Sequence, residues 1–306
     1  MNVLITGGAG YIGTRLIKNL SANKEIEKIV VYDNLLRGNY NLFLGDKYIH
    51  PDGLEFIQGD LLDSRNLKKA LEGIDIVFHL AAKVTSPFAN VNLHFYEQIN
   101  NWGTAELTYA IEESDVKKVI YTSSMGVYGF SDDPIHEDHK VNPGSFYAIS
   151  KQRGEEHIQR LDKKHNPIIL RCGNVYGYSR SMRFDAVINR FVFEANFSGR
   201  ITINGSGNQQ RAFIHIHSLA DILEQVAVKD IPSDIYNVSE RNLSVLDIVD
   251  TLKELKPELE FLFINQQTSL QQQIVSEEQK LKQFIDYNDK TDFKSEITEF
   301  LNSFSY

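Results

Sequence analysis

The sequence predicts an α/β fold: a doubly wound parallel sheet joined to a smaller mixed α/β region. Three observations carry this. Short, uniformly apolar runs alternate with segments of helical period through the first half of the chain, which is the pattern of strands covered on both faces. A glycine-rich run, Gly7 to Gly13, lies between the first apolar run and the first helical period. Beyond about residue 172 the alternation loses its regularity, as expected where a second region begins.

Taken in order, Asn2–Thr6 is a strand, and Leu16, Ile17 and Leu20 then recur at helical spacing. The period predicts further strands at Lys28–Tyr32, Leu54–Gln58, Ile74–Leu80 and Lys118–Thr122, with helices near Asn66–Glu72 and Asn100–Ser114. A helix over Tyr147–Leu161 and a strand at Pro167–Arg171 follow. The less regular part reads as a helix over Phe184–Asn196, strands at Arg200–Asn204 and Ala212–Ile216, and a helix over Ser218–Val228. Ile235–Val238 is expected to return to the main sheet, and Ser244 to cap a helix that runs through Leu255 and stops before Pro257. The Gln-rich stretch 266–273 and the charged tail establish no third domain, and no internal repeat is present.

Composition narrows the class. The 306 residues suffice for one large or two medium domains, and 42% apolar and 24% charged residues with 19 Gly and 7 Pro describe a globular chain. With 32 Lys plus Arg against 41 Asp plus Glu, the net charge of -9 opposes nonspecific nucleic-acid binding. One cysteine, Cys172, cannot form an internal disulfide, and its lack of an adjacent base or ligand cluster argues against a nucleophile. Met1 is followed by no basic leader, and no apolar run reaches the length of a membrane helix, so the expectation is a cytoplasmic protein without a membrane partner. The histidines show no metal spacing; His215 and His217 share one face of a strand but lack further ligands.

The chemistry starts at Gly7-Gly8-Ala9-Gly10-Tyr11-Ile12-Gly13. Here Gly7 permits a tight turn, Gly10 lets a pyrophosphate approach backbone N–H groups at the helix start, and Gly13 allows close helix packing. Such a loop after a first strand makes the fold Rossmann-type. Asp33 lies 20 residues past Gly13, at the end of the second strand, where a carboxylate accepts both hydroxyl hydrogens of an adenosine ribose. That favours NAD over NADP, although Arg37 is placed to meet a 2′-phosphate. Asp60 reads either as a partner for the adenine amino group, with Leu61 and Leu80 on its faces, or as a loop cap. His79 reads as a core-edge histidine. Tyr147 and Lys151 are four apart and share one helix face; the lysine charge favours tyrosinate, so Tyr147 can exchange a proton with a sugar alcohol while Ser124 holds the oxygen.

These motifs together resemble the extended short-chain dehydrogenase/reductase family, in particular its nucleotide-sugar epimerase and dehydratase branch and the UDP-glucose 4-epimerase-like part of it. The resemblance runs to about Leu255 and rests on Thr6 to Gly13, Asp33-Asn34-Leu35, Gly59-Asp60-Leu61, His79-Leu80-Ala81-Ala82, Asn100 with Gly103-Thr104, Thr122 to Gly129, and Tyr147 to Lys151. It implies Ser124, Tyr147 and Lys151 as catalytic residues. It implies NAD contacts at Gly7, Gly10, Tyr11, Ile12, Asp33, Asn34, Asp60, Leu61, Leu80, Ala81, Ala82, Asn100, Tyr147 and Lys151. Residues 1–171 are then mainly an NAD-binding domain and 172–306 mainly a substrate-binding region, with 212–255 partly returning to the first. The helices around Asn101–Ser114 and Tyr147–Leu161 resemble the family's two-helix dimer contact, so a homodimer is expected.

Substrate candidates are Lys83, Ser124, Asn174, Arg183 and Arg211. Residues 171–211 hold six Arg, no Lys, one Asp and one Glu, a local charge of +4 in an acidic chain, which suits a nucleotide-diphosphate sugar. Arg211 matches a pyrophosphate-binding arginine of the branch. Arg180 and Arg183 read equally as ligands or surface groups, Arg171 as structural, and Lys83 as a phosphate contact or a solvated loop residue. The branch's second late arginine is absent after Arg241; Asn265-Gln266-Gln267 and Lys280 are possible substitutes. In related 4,6-dehydratases an Asp-Glu pair follows the catalytic hydroxyl residue, whereas Met125 and Gly126 stand here and transfer no proton. The expected activity is therefore NAD-dependent 4-epimerisation of a nucleotide sugar. A net oxidoreductase, or a non-enzymatic NAD-binding regulator, is the alternative.

Overall fold

A computed structural model describes residues 1–44, 54–84, 93–265, 272–287 and 291–304. Seven parallel strands form the main sheet: β1 (Asn2–Thr6), β2 (Lys28–Asp33), β3 (Leu54–Gln58), β4 (Ile76–His79), β5 (Lys118–Ser124), β7 (Pro167–Cys172) and β11 (Ile235–Val238). Their order is β3-β2-β1-β4-β5-β7-β11. The strand order therefore reverses between β1 and β4, where Thr6 lies in register with His79. In such a sheet the crevice for a ligand opens beyond the carboxyl ends of those two strands.

The apolar runs need both faces covered, and the structure covers them. Val3 and Ile5 of β1 join one buried cluster with Leu16, Ile17 and Leu20 of α1 (Tyr11–Ala22) and Leu219, Ile222 and Leu223 of α7 (Ile216–Val228). Leu4, the residue between them, enters the opposite cluster with Leu67 of α2 (Ser64–Ala70) and Leu107 and Ile111 of α4 (Gly103–Glu112). Successive side chains of one strand point to opposite faces, so a strand buried on both shows no polar alternation.

Beyond β7 the chain builds smaller units. β8 (Asn174–Tyr176), β10 (Gln210–His215) and β12 (Arg241–Ser244) form one sheet; β9 (Arg200–Asn204) pairs with β13 (Glu260–Ile264); and β6 (Ser131–Ile135) pairs with β14 (Gln273–Val275). A third buried cluster joins α6 (Val187–Phe197), α8 (Val245–Leu255) and α9 (Phe293–Asn302). Ser244 caps α8 as expected: its Oγ accepts from Asp247 N at 3.0 Å, and Asp247 Oδ2 accepts from Ser244 N at 2.7 Å.

Besides the unexpected short strands β6, β8 and β12, the structure departs from expectation in the following ways. The helix expected from Asn100 starts earlier, with α3 (Leu93–Tyr96) and a π-helical turn over Glu97–Trp102 that hands over to α4. The charged tail forms α9, whose Phe293, Ile297, Phe300 and Leu301 recur at helical spacing and pack into the third cluster. The Gln-rich stretch ends in β14, while 266–271 lie outside the described residues.

At the start of α1 the backbone is too tightly packed for any side chain. A Cβ on Gly13 would stand 2.5 Å from both Cα and O of Gly8. Gly13→Ala is expected to lower unfolding stability by about 1–3 kcal/mol in urea titrations, since backbone and not a flexible side chain must yield. An unchanged midpoint would show that the loop shifts at no cost.

Candidate active site

A cavity of about 540 Å³ opens at the β1/β4 reversal, lined by Gly7, Gly10, Tyr11, Ile12, Asp33, Asn34, Asp60, Leu61, Leu80, Ala81, Ala82 and Lys83 among others. Gly7 makes the turn at φ +73°, and a Cβ there would lie 2.6 Å from Ala81 N and Cα. Only glycine lets the end of β1 come this close to the chain leaving β4. α1 then starts at Tyr11 without a capping side chain at Gly10. The first N–H groups of the helix are thereby left for an anion, with the positive end of the helix dipole behind them. The Tyr11 ring points away from this role: its OH donates to Gly177 O at 2.6 Å and accepts from Asn189 Nδ2 at 3.2 Å.

Asp33 ends β2 and faces the cavity. Its Oδ2 accepts from Ala9 N at 3.0 Å and its Oδ1 from Leu35 N at 2.8 Å, so the carboxylate also fastens the glycine loop. Burial raises its pKa, and the two backbone donors oppose that rise. Across the cavity, Asn34 Nδ2 donates to Asp60 Oδ2 at 3.1 Å, and Asp60 Oδ1 accepts from Leu62 N at 3.0 Å. Asp60 thus caps its own loop, one of the two roles open to it in the sequence, and also lines the cavity. Arg37 lines the same end.

Behind the crevice lies a buried polar chain. Thr104 Oγ1 donates to Asn100 O at 2.7 Å, so at 2.9 Å from His79 Nε2 it accepts. The imidazole therefore carries its proton on Nε2, and Nδ1 accepts from Thr6 Oγ1 at 2.7 Å. Burial, with the Lys151 charge adding to it, pushes His79 down to about 3, so it is a neutral strut. Asn100 is buried in the π-helical turn. Its Oδ1 accepts from Lys83 N at 2.8 Å, and its Nδ2 donates to Lys83 O and Ser150 Oγ, both at 2.9 Å. Ser150 Oγ donates in turn to Tyr147 O at 2.8 Å. With all its polar capacity so used, Asn100 positions the Lys83 loop and the Tyr147 helix.

The proton-handling groups gather beside this chain. Ser145 caps α5 (Phe146–Gln159) by accepting from Ala148 N at 3.2 Å, which starts the helix just before Tyr147. Ser124 closes β5 with its Oγ accepting from Gly126 N at 3.1 Å, and its hydroxyl lies near enough to the half-buried Tyr147 phenol to lower the phenol's pKa. Burial raises the Tyr147 pKa, while the charge of Arg183 and the Ser124 hydroxyl pull it down. Lys151 is buried with Nζ 4.0 Å from the centroid of the Tyr121 ring. Its burial pushes the ammonium down to about 7 against the opposing pull of Glu155. Cys172 is buried nearby, and burial pushes its thiol up to about 12, which leaves it inert at neutral pH.

The substrate candidates divide. Lys83 and Arg183 line the cavity; Arg183 bonds Asp185 through Nε at 3.3 Å and Nη2 at 3.0 Å, and Asp185 lines it too. Asn174 is exposed, with Nδ2 donating to Ala212 O at 3.1 Å. Arg211 stands outside the cavity lining on β10, its guanidinium 5.6 Å from the centroid of the Phe130 ring. Arg180 braces the loop after β2 by donating to Leu44 O at 2.5 Å. Arg171 forms a buried forked pair with Glu155, at 3.0 and 2.7 Å. Lys280 pairs with Asp234 at 3.1 Å, and Gln266 and Gln267 lie outside the described residues. Among the described residues no group of His, Cys, Asp and Glu is arranged to hold a metal, and no helix is long and apolar enough to cross a membrane. Ile99, Val175 and Met182 also line the cavity, and nothing in their sequence separates them from core residues. Asp185 did carry a signal, an acid two positions from Arg183.

Comparison with known proteins agrees with this geometry. Residues 3–239 match the NAD dependent epimerase/dehydratase family. A putative UDP-glucose 4-epimerase of Methanocaldococcus jannaschii is 32% identical over 224 residues, covering 71% of this chain and 70% of its own. A dTDP-D-glucose 4,6-dehydratase of Mus musculus is 32% identical over 263 residues, 83% of this chain and 72% of its own. The UDP-glucuronic acid 4-epimerase of Bacillus cereus, solved with UDP-glucuronic acid and NAD, is 25% identical, with a TM-score of 0.87 over 99% of this chain and 98% of that one. The chain belongs to the NAD dependent epimerase/dehydratase family. It is an enzyme of nucleotide-sugar chemistry with NAD as its cofactor. The site fits that cofactor: glycines too crowded for a Cβ, an uncapped helix start, and an acid at the end of β2.

The position of Lys151 predicts a pH effect on stability. An unfolded lysine titrates near 10.4, well above about 7 in the folded chain, so between these values the unfolded state holds more protons and folding strengthens as pH rises. Relative to Lys151→Met, the wild-type cofactor-free protein is expected to gain about 2 kcal/mol between pH 7 and 9 in urea unfolding. Parallel pH dependences would show that Lys151 stays charged.

Proposed function

We propose that this enzyme is a nucleotide-sugar 4-epimerase. The observation that carries the reading is a phenol, Tyr147, influenced by the Ser124 hydroxyl and the Arg183 charge, with Met125 and Gly126 where elimination of water would need carboxyl groups. Tyr147 takes the C4 hydroxyl proton while Ser124 holds that oxygen, and the Lys151 charge favours the phenolate. Bound NAD supplies acceptance of a hydride and its return. Once the keto sugar has turned over, Tyr147 gives the proton back and the opposite configuration results.

One observation favours a particular substrate class. Arg183 lines the cavity and lies near enough to Tyr147 for its charge to act on the phenol. A guanidinium there suits an anionic sugar, and UDP-glucuronic acid is the ligand of the Bacillus cereus neighbour. Asp185 holds the fork meanwhile. Arg211 is assigned to the pyrophosphate, with residues 172–306 forming the substrate region and residues 1–171 the NAD domain. A homodimer through α4 and α5 is part of this reading, supported by the exposed Trp102, Tyr109 and Phe146.

The test is incubation with UDP-glucuronic acid, UDP-glucose and thymidine-diphosphate glucose, with products identified by NMR and nicotinamide absorbance recorded. Inverted C4 without NADH accumulation is expected; stoichiometric NADH would establish net oxidation, and a 6-deoxy-4-keto product would establish dehydration. Tyr147→Phe is expected to slow single-turnover hydride transfer by about 10²–10⁴-fold while sugar and NAD still bind. Near-normal transfer would remove Tyr147 from the proton step. Arg183→Gln should raise KM for UDP-glucuronic acid by more than about tenfold and leave UDP-glucose within about threefold. Equal effects on the two sugars would sink the carboxylate assignment.

A further inference from the structure

The stretch rich in glutamine ends at a residue that touches the catalytic loop. Gln273 is buried in β14, and its Nε2 donates to Met125 O at 2.8 Å and Gly129 O at 2.7 Å. These carbonyls bracket the 3₁₀ turn Met125–Tyr128, which leaves directly from Ser124. The turn is also held by Ser124 Oγ accepting from Gly126 N, Gly129 N donating to Gly126 O at 3.1 Å, Asn142 N donating to Val127 O at 3.0 Å and Tyr128 OH donating to Asn237 Oδ1 at 2.8 Å, with Met125, Val127 and Tyr128 packed in a buried cluster. Ser124 ends β5 in register with Cys172 of β7, so its hydroxyl sits where the fixed sheet hands over to this turn.

The strand that carries Gln273 is itself fixed on two sides. Gln273 pairs in register with Ser131 of β6, the continuation of the same loop. On the other side, Asn242 of β12 brackets Val275: its Oδ1 accepts from Val275 N at 3.0 Å, and its Nδ2 donates to Val275 O at 2.9 Å. Asn242 lies opposite Ala212 on β10, one residue from Arg211. A strand late in the chain thus joins the loop of the catalytic hydroxyl to the strand of the phosphate candidate.

We infer that Gln273 is a positioning residue for Ser124, its amide clamping the 125–129 turn so that the serine hydroxyl meets the Tyr147 phenol and the substrate oxygen. The inference rests on the role given to Ser124 above. The clamp needs an amide: its two hydrogens satisfy two carbonyls at once, whereas an apolar group of the same length leaves both buried and unmet. A displacement of the hydroxyl by about 1 Å is enough to cost on the order of 10²-fold in rate.

Gln273→Met keeps the length of the side chain and removes both donors. Expected are a kcat lower by about 10–100-fold with KM within about threefold, since the loss falls on alignment and not on sugar binding. In a Ser124→Ala background the same substitution should cost less than about threefold, because the group it aligns is gone. Costs that multiply in the double variant would overturn the inference and mark Gln273 as structural only. Hydrogen exchange needs no substrate and decides the clamp even if 4-epimerisation fails: amides 125–129 should exchange faster in Gln273→Met, with those near Asp33 unaltered. Unchanged exchange at 125–129 would also overturn it. Should Gln273→Met not fold, Gln273→Asn, one methylene too short to span both carbonyls, carries the same measurements.

Discussion

The site depends on one close approach, the contact of Gly7 with the backbone of Ala81. Parallel strands cannot share a tight turn, so the chain that leaves β1 must rise over the sheet while β4 ends beside it. A side chain at Gly7 would meet Ala81 at 2.6 Å and push the two strand ends apart. With hydrogen alone, the loop closes down, Ala9 N reaches Asp33, and α1 starts with its N–H groups aimed over the crevice. The glycine turn and the Asp33 contact to it are therefore consequences of one backbone distance, held in place by the two buried clusters on either side of the sheet.

A second constraint runs at right angles to the strands. The chain of bonds from Thr6 through His79 and Thr104 to Asn100, and on through Ser150 to the Tyr147 carbonyl, ties β1, β4, α4 and α5 together beneath the cavity. Each member has its donors and acceptors matched, which is the condition under which buried polar groups add rigidity instead of cost. The π-helical turn explains itself in this setting. It sets Asn100 toward Lys83 and Ser150, and the following Gly103 packs where a Cβ would lie 2.9 Å from Cβ of Leu61.

Most of the main sheet was legible because its strands are largely buried, so that unbroken apolar runs mark them and helical periods separate most of them up to β7. The return of Ile235–Val238 to the sheet was legible for the same reason. The smaller strands were not: β6 reads Ser-Asp-Asp-Pro-Ile and β14 Gln-Ile-Val, and each exists only because the other, or Asn242, supplies its pairing. Local preference has nothing to say about such strands. At the site, Gly7, Asp33, Tyr147 and Lys151 stood out because their chemistry depends on spacing along one element. Gln273 did not, since its partners lie 144 and 148 residues away and one glutamine among several carries no mark.

The electrostatics of Lys151 show how the buried charges are balanced. Removing an ammonium from water favours its neutral form, and Glu155, one helical turn further along α5, is the carboxylate that opposes this. Glu155 is itself held on both oxygens: Oε1 accepts from Ser123 Oγ and Arg171 Nε, and Oε2 from Arg171 Nη2. It acts on Lys151 through its field alone. The balance leaves Lys151 near neutrality, within reach of both states, while Tyr147 stays protonated. The buried Glu155–Arg171 pair, costly in itself, thus sets part of the field in which Lys151 titrates.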